Sequence, residues 1–143
     1  MSKSRAADPS CFVSRFKLHL ASKEELARSG QRAPPLPPGK TAMDVISDFL
    51  RLISTHAMDH VRQQIGAHLT ESDVQWCVTV PAMWTDKGKQ SMAEAAQLAG
   101  MIKGPLNRSG KGSPHELIIV LEPEAAALYG HLELKENFPL YAA

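Results

Sequence analysis

Several residue constellations in this 143-residue chain have types and spacings that could support chemistry. Gly39-Lys40-Thr41 ahead of a helical pattern resembles the end of a phosphate-binding loop. Such a loop needs a further glycine five residues before Gly39, so that successive backbone amides can wrap a phosphate, and Pro34 stands there. The segment Gly104 to Lys111 fails similarly, because Gly112 occupies the place of the Ser or Thr that would reach magnesium. His56 and His60 lie one helical turn apart, close enough to share a metal. Ala57 replaces the Glu that a zinc-protease helix carries after its first His, and no third ligand is evident. A solvated or edge-packed histidine pair is the expectation.

The segment Pro34-Pro35-Leu36-Pro37-Pro38 offers a different chemistry. Arg32 with Pro35 and Pro38 fits a basic-x-x-Pro-x-x-Pro pattern, and Lys40 after Pro38 fits the reverse orientation. Prolines at this density favour the polyproline helix that SH3 domains grip, so an SH3-type partner at Arg32 to Lys40 is one reading. A rigid linker is the other.

These residues need elements to hold them. Phe16, Leu18 and Leu20 alternate with Arg15, Lys17 and His19, which predicts a half-buried strand. Ser22 to Lys40 reads as a polar, Pro-rich connector. Thr41 and Asp44 form a capping-box-like start to a long helix, and Gly66 is its stop. Its predicted apolar stripe is Ile46, Phe49, Leu50, Ile53, Ala57, Val61 and Ile65.

Val74 to Val80 reads as a strand without charge on either face, suited to a covered sheet. Pro81 ends it. Thr85 and Asp86 then cap a second helix, rich in Ala95, Ala96 and Ala99, that Gly100 closes. Lys103 to His115 is a Gly-, Ser- and Pro-containing loop. Leu117 to Leu121 is an apolar run suited to a buried parallel strand, and Pro123 opens a third helix, Glu124 to Gly130. The implied core is a parallel β-α-β unit with a right-handed crossover. Residues 1–40 thus form an N-terminal strand and connector, 41–131 the main unit, and 132–143 a weakly patterned tail.

Composition bounds the function class. Hydrophobic residues at 43% and charged residues at 22% describe an ordinary globular domain. A net charge of +1 gives no footprint for nucleic acid or an anionic membrane. Of the two cysteines, Cys77 lies in an apolar run, and a reduced, buried thiol is expected there; Cys11 is far from it. No secretory leader is read at Met1 to Ser10, so Asn107-Arg108-Ser109 is not expected to be glycosylated, and a cytoplasmic location follows.

Two ordered motifs carry a family resemblance. Trp76-Cys77-Val78-Thr79-Val80-Pro81-Ala82, then Trp84, Lys89-Gln90 and Ala95 to Gly100, looks like the V-x-T-V-P-A-x-F … R-Q … A-x-x-A-G segment of the seventy-kilodalton heat-shock (Hsp70) family. Leu121-Glu122-Pro123-Glu124-Ala125-Ala126-Ala127-Leu128-Tyr129-Gly130 is similar to its N-E-P-T-A-A-A-x-x-Y-G segment. The Leu36 to Ala42 entry and the Glu-Pro-Glu variant resemble the divergent fungal and vertebrate branch. The stretch Phe16 to Tyr129 fits one continuous piece of the ATPase domain. The fold class implied is α/β: a partial actin-like ATPase (ribonuclease-H-like) fold with a parallel β-α-β core and a long N-terminal helix.

That resemblance implies roles. Glu122 matches the glutamate that approaches magnesium and water beside the γ-phosphate; a carboxylate at the carboxyl end of a parallel strand is placed where such sheets bind ligands. Read without the resemblance, Glu122 is an acidic residue favoured at a helix start. Pro81 matches the proline that relays nucleotide state between domains, and Lys89 falls where the family has a partnering arginine, a change that weakens bidentate contact. Glu124 and Leu121 replace a threonine and an asparagine.

The chain contains no Asp-x-Gly-Thr phosphate turn near its start and no second Gly-rich turn, and neither a catalytic lysine nor an adenosine pocket is identified in it. The expectation is a fragment of an Hsp70-like domain whose parent uses ATP and Mg²⁺ and binds unfolded client proteins, the chain alone being inactive. The alternative is a small interaction module that uses Pro34 to Pro38 or an exposed sheet edge.

Overall fold

A computed structural model describes residues 12–102 and 117–137. The Lys103 to His115 loop, the glycosylation pattern at Asn107 and Cys11 lie outside them. In chain order come a 3-10 segment (Phe16–Leu20), α1 (Lys23–Ser29), α2 (Ala42–Ile65), a 3-10 turn (Glu71–Asp73), β1 (Cys77–Val80), α3 (Asp86–Leu98), β2 (Ile118–Leu121) and α4 (Glu122–Asn137). The strands β1 and β2 are parallel, with Val80 opposite Leu121, and α3 forms the crossover between them. This is the partial α/β fold that the sequence predicts.

Helix α2 begins where its capping box requires. The Thr41 hydroxyl accepts from the Asp44 amide at 3.1 Å, while the Asp44 carboxylate accepts from the Thr41 amide at 2.8 Å. The Asp44 carboxyl is held below its ordinary pKa, chiefly by the Thr41 hydroxyl. Replacing Thr41 by Ala is expected to lower stability by about 1 kcal/mol. An unchanged urea midpoint at an unchanged slope would contradict this.

The buried line on α2 is Ile46, Ser47, Leu50, Ser54 and Met58, whereas Phe49, Ile53 and Ile65 are exposed. The expected stripe is therefore rotated toward one of its edges. The reason lies in α3, whose Ala95 and Ala96, with Ala99 just past its end, are small and buried. They let α2 approach along an i, i+4 row in which serines fit, their hydroxyls returned to the Asp44 and Arg51 carbonyls.

Three further expectations are corrected. Phe16 to Leu20 is a 3-10 segment, not a strand. No described strand neighbours it, so an extended chain would leave its amides unpaired. As a turn it bonds the Leu18 amide to Arg15 and the Ala21 amide to Leu18, and Phe16 rests on Phe49 with ring centroids 5.0 Å apart. The connector after it contains α1, capped by Ser22 and Glu25 in reciprocal bonds. Helix α4 starts at Glu122 and runs past Gly130 to Asn137, through the expected tail. Glu124 accepts from the Leu121 amide at 3.2 Å, closing that start, and the Leu132 to Glu136 run consists of good helix formers.

Val78, Val80, Ile119 and Leu121 turn to the core made by α2 and α3. Cys77 lies on the opposite face of β1 and is exposed, not buried, because no described element covers it there.

Candidate functional site

The carboxyl ends of β1 and β2 carry the residues that the sequence singles out. Val80 and Leu121 are partners in register, so Pro81 and Glu122, the residues that follow them, leave the sheet side by side. Glu122 is the first residue of α4, with its side chain about half exposed. Pro81 begins a turn closed by the Trp84 amide on its carbonyl at 3.1 Å, which brings the chain into α3.

A cation stands beside Glu122 that nothing in the local sequence marks. The ammonium of Lys17, on the Phe16–Leu20 segment, donates to Glu122 Oε1 at 3.1 Å across a separation of 105 residues. Both side chains remain more than two-fifths exposed, so the pair contributes at most about 1 kcal/mol. Its value is chemical: a half-solvated ion pair exchanges partners at little cost. The one sequence signal for Lys17 is its polar place between Phe16 and Leu18.

Four contacts hold the segment that carries Lys17. Phe16 packs at a tilt against Phe49, and the His19 ring donates to the Pro34 carbonyl at 2.7 Å. The Leu20 carbonyl lies against Gly88, where an added Cβ would stand 3.3 Å from that oxygen and 3.3 Å from the Trp84 ring. A side chain at Gly88 would thus require the Leu20 carbonyl or the Trp84 ring to give by a few tenths of an ångström.

The fourth contact is Glu25. This carboxylate is buried, and it accepts from the Ser22 amide at 2.5 Å and from the Thr85 amide at 2.6 Å, 60 residues away. The Thr85 side chain makes no cap bond itself, so the expected local cap on α3 is supplied from α1. The Ser22 amide is the largest cause holding the Glu25 carboxyl below its usual range; burial opposes, and the Thr85 amide adds to the lowering.

Lys89, Lys40 and Thr41 have structural partners. Lys89 pairs with Asp86 within α3 at 3.3 Å, so its ammonium is engaged one turn back on its own helix rather than at Pro81. Gly39 adopts a positive φ of 72° in a turn closed by the Lys40 amide on Pro37, Lys40 bonds Asp48 at 3.0 Å, and Thr41 caps α2. His56 and His60 are exposed on α2, and no group of three metal-ligating side chains occurs among the described residues. A cavity of about 90 Å³ between α2, Trp76 and Met101 includes none of Lys17, Pro81 or Glu122. No described helix is long and apolar enough to cross a membrane.

The parallel strand pair thus ends in Pro81 on one strand and Glu122 on the next. Residues 50–129 match the family model described as Hsp70 protein. The chain belongs to the Hsp70 family. Human heat shock 70 kDa protein 12B is 32% identical to it over 118 residues, 82% of this chain and 16% of that relative. Heat shock 70 kDa protein 12A is 30% identical over the same length in both mouse and human, again with 82% and 16% covered. The chain therefore corresponds to about a sixth of these curated Hsp70 relatives, within the nucleotide-binding domain. No solved structure matches it.

Proposed function

We propose that this chain is the part of an Hsp70-type ATPase domain that presents a lysine and a glutamate to the terminal phosphate and its magnesium ion. The observation that carries this reading is the Lys17–Glu122 pair at the open end of the β1–β2 sheet. A carboxylate there suits a hydrated Mg²⁺ held through its water shell, or a water to be oriented. The adjacent ammonium suits a phosphate oxygen, on which developing charge is stabilised by a fixed donor. Glu124, the residue whose added charge would repel a phosphate, turns back onto the Leu121 amide and so spends its carboxylate on the helix start.

Pro81, sharing the strand ends with Glu122, is the proposed relay between nucleotide state and the rest of the protein. Lys89 fits that relay less well, since Asp86 competes for it. Client proteins and a chaperone role in the cytoplasm belong, in this reading, to the whole protein and not to the segment alone. Backbone amides of Gly-rich turns supply most of a phosphate grip, and the 143 residues contain no such turn of the family pattern.

Two measurements test the reading. Titration calorimetry of the chain with Mg-ATP is expected to show no dissociation constant tighter than about 1 mM. A micromolar value would overturn the view that the segment is inactive alone. In a polypeptide that supplies the remaining turns, Lys17→Ala and Glu122→Gln are each expected to slow ATP hydrolysis about a hundredfold or more. Turnover unchanged by both substitutions would remove the pair from the mechanism. A second, independent binding role rests on the Pro-rich segment, whose outward edge is exposed.

A further inference from the structure

The segment between α1 and α2 is the one described stretch whose exposure repeats every third residue. Arg32, Pro35 and Pro38 are exposed, while Ala33, Pro34, Leu36 and Pro37 are half-buried. Proline fixes φ near −65° and restricts the residue before it to extended conformations. Ala33, Pro34, Leu36 and Pro37 each precede a proline, and Pro35 and Pro38 have φ fixed by their rings, so the stretch favours the polyproline region, whose helix has three residues per turn and about 3.1 Å rise. One edge of that helix points outward, with Pro35 and Pro38 about 9 Å apart along it.

Both ends of this helix are anchored. His19 donates to the Pro34 carbonyl at 2.7 Å, which holds the inner edge against the Phe16–Leu20 segment. After Pro38 the chain reverses through Gly39, at φ 72°, in a turn closed by the Lys40 amide on Pro37 at 3.1 Å. An anchored helix loses little conformational freedom on binding, so a partner gains contact without ordering the segment.

The two cations flanking the prolines differ. Lys40 lies beyond the turn, off the helix line, with its ammonium on Asp48 at 3.0 Å. Asp48 also accepts from Arg51, so one carboxylate serves both cations. Arg32 lies on the outward edge, one helical repeat before Pro35, and makes no ion pair with a described residue. Of the two orientations compatible with the sequence, the one led by Arg32 keeps its cation on the exposed edge.

We infer that Arg32, Pro35 and Pro38 form a docking edge for an SH3-type domain, with the proline rings on its aromatic groove and Arg32 on its acidic rim. The inward backs of Pro34 and Pro37 limit the partner to a shallow grip. This edge shares no residue with the Lys17–Glu122 pair, and failure of either assignment leaves the other standing.

The test is titration of the full chain against a purified SH3 domain that selects Arg-x-x-Pro-x-x-Pro peptides, followed by two-dimensional NMR of the labelled chain. Saturable binding is expected, with shifts confined to residues 31–40 and their packing neighbours. Arg32→Ala, Pro35→Ala and Pro38→Ala should each weaken it about tenfold or more, and Lys40→Ala less than about twofold. Binding by a free peptide of residues 31–40 but not by the folded chain would overturn the inference, since the body would then mask the edge. So would absence of binding by both, or a Lys40→Ala loss equal to that of Arg32→Ala. Equal circular dichroism of the variants separates any loss from misfolding.

Discussion

Trp84→Ala is expected to lower the unfolding free energy by about 4 kcal/mol, enough to remove much of the stability a small domain has. Trp84 is 4% exposed and lies in one cluster with Val80, Met92, Ala95 and Ala96. Its ring also fills the space above Gly88, the same glycine that admits the Leu20 carbonyl. Truncation therefore opens a cavity at the meeting point of β1, α3 and the segment carrying Lys17. The short side chains of Ala95, Ala96 and Val80 cannot reach across to fill it. Urea denaturation followed by circular dichroism measures the loss, with Trp76 retained as the fluorescent reporter. Trp84→Phe, which keeps most of the apolar volume, should recover more than half of it. A loss below about 1 kcal/mol for Trp84→Ala would mean that the α3 start is not a packed junction.

Glu25→Ala is expected to cost about 3 kcal/mol, although Glu25 belongs to a short helix far from Thr85 in sequence. Its removal takes the charged acceptor from the Ser22 and Thr85 amides together. The dependence on pH follows from the direction of the shift. The folded carboxyl titrates below its unfolded counterpart, which lies near about 4.3. Its contribution is therefore complete above that unfolded value and is lost as pH falls through the folded one. Asp44 and Asp48, also lowered, act in the same direction. Stability should thus decline on acidification below about pH 4.5. In Glu25→Gln the decline should be shallower, since one of the three carboxyls held low by the fold is gone. Identical urea midpoints at pH 4 and pH 7 in the unaltered chain would contradict the linkage.

The legible and the hidden parts of this fold divide along the reach of the interactions. The start of α2 could be read because Thr41 and Asp44 bond to each other's amides three residues apart. The start of α1 was equally readable in Ser22-Lys23-Glu24-Glu25, but the surrounding polar composition suggests a connector. The Phe16 to Leu20 alternation misleads because period-2 patterning presupposes a neighbouring strand, and the described structure offers none. Cys77 and the rotated face of α2 were not readable at all. Which of several apolar faces is buried depends on the size of the residues presented by another element, here the alanines of α3.

Sequence alone was enough for the two strands and for the helices that follow Thr41 and Thr85, since apolar periodicities and, at Thr41, a capping pair spanning three residues encode them. Tertiary structure decided that Lys17 meets Glu122 and that Glu25 caps α3, contacts spanning 105 and 60 residues. Such pairs arise because packing of Phe16, Leu20 and Trp84 brings distant segments into register, and that packing leaves no trace in local spacing.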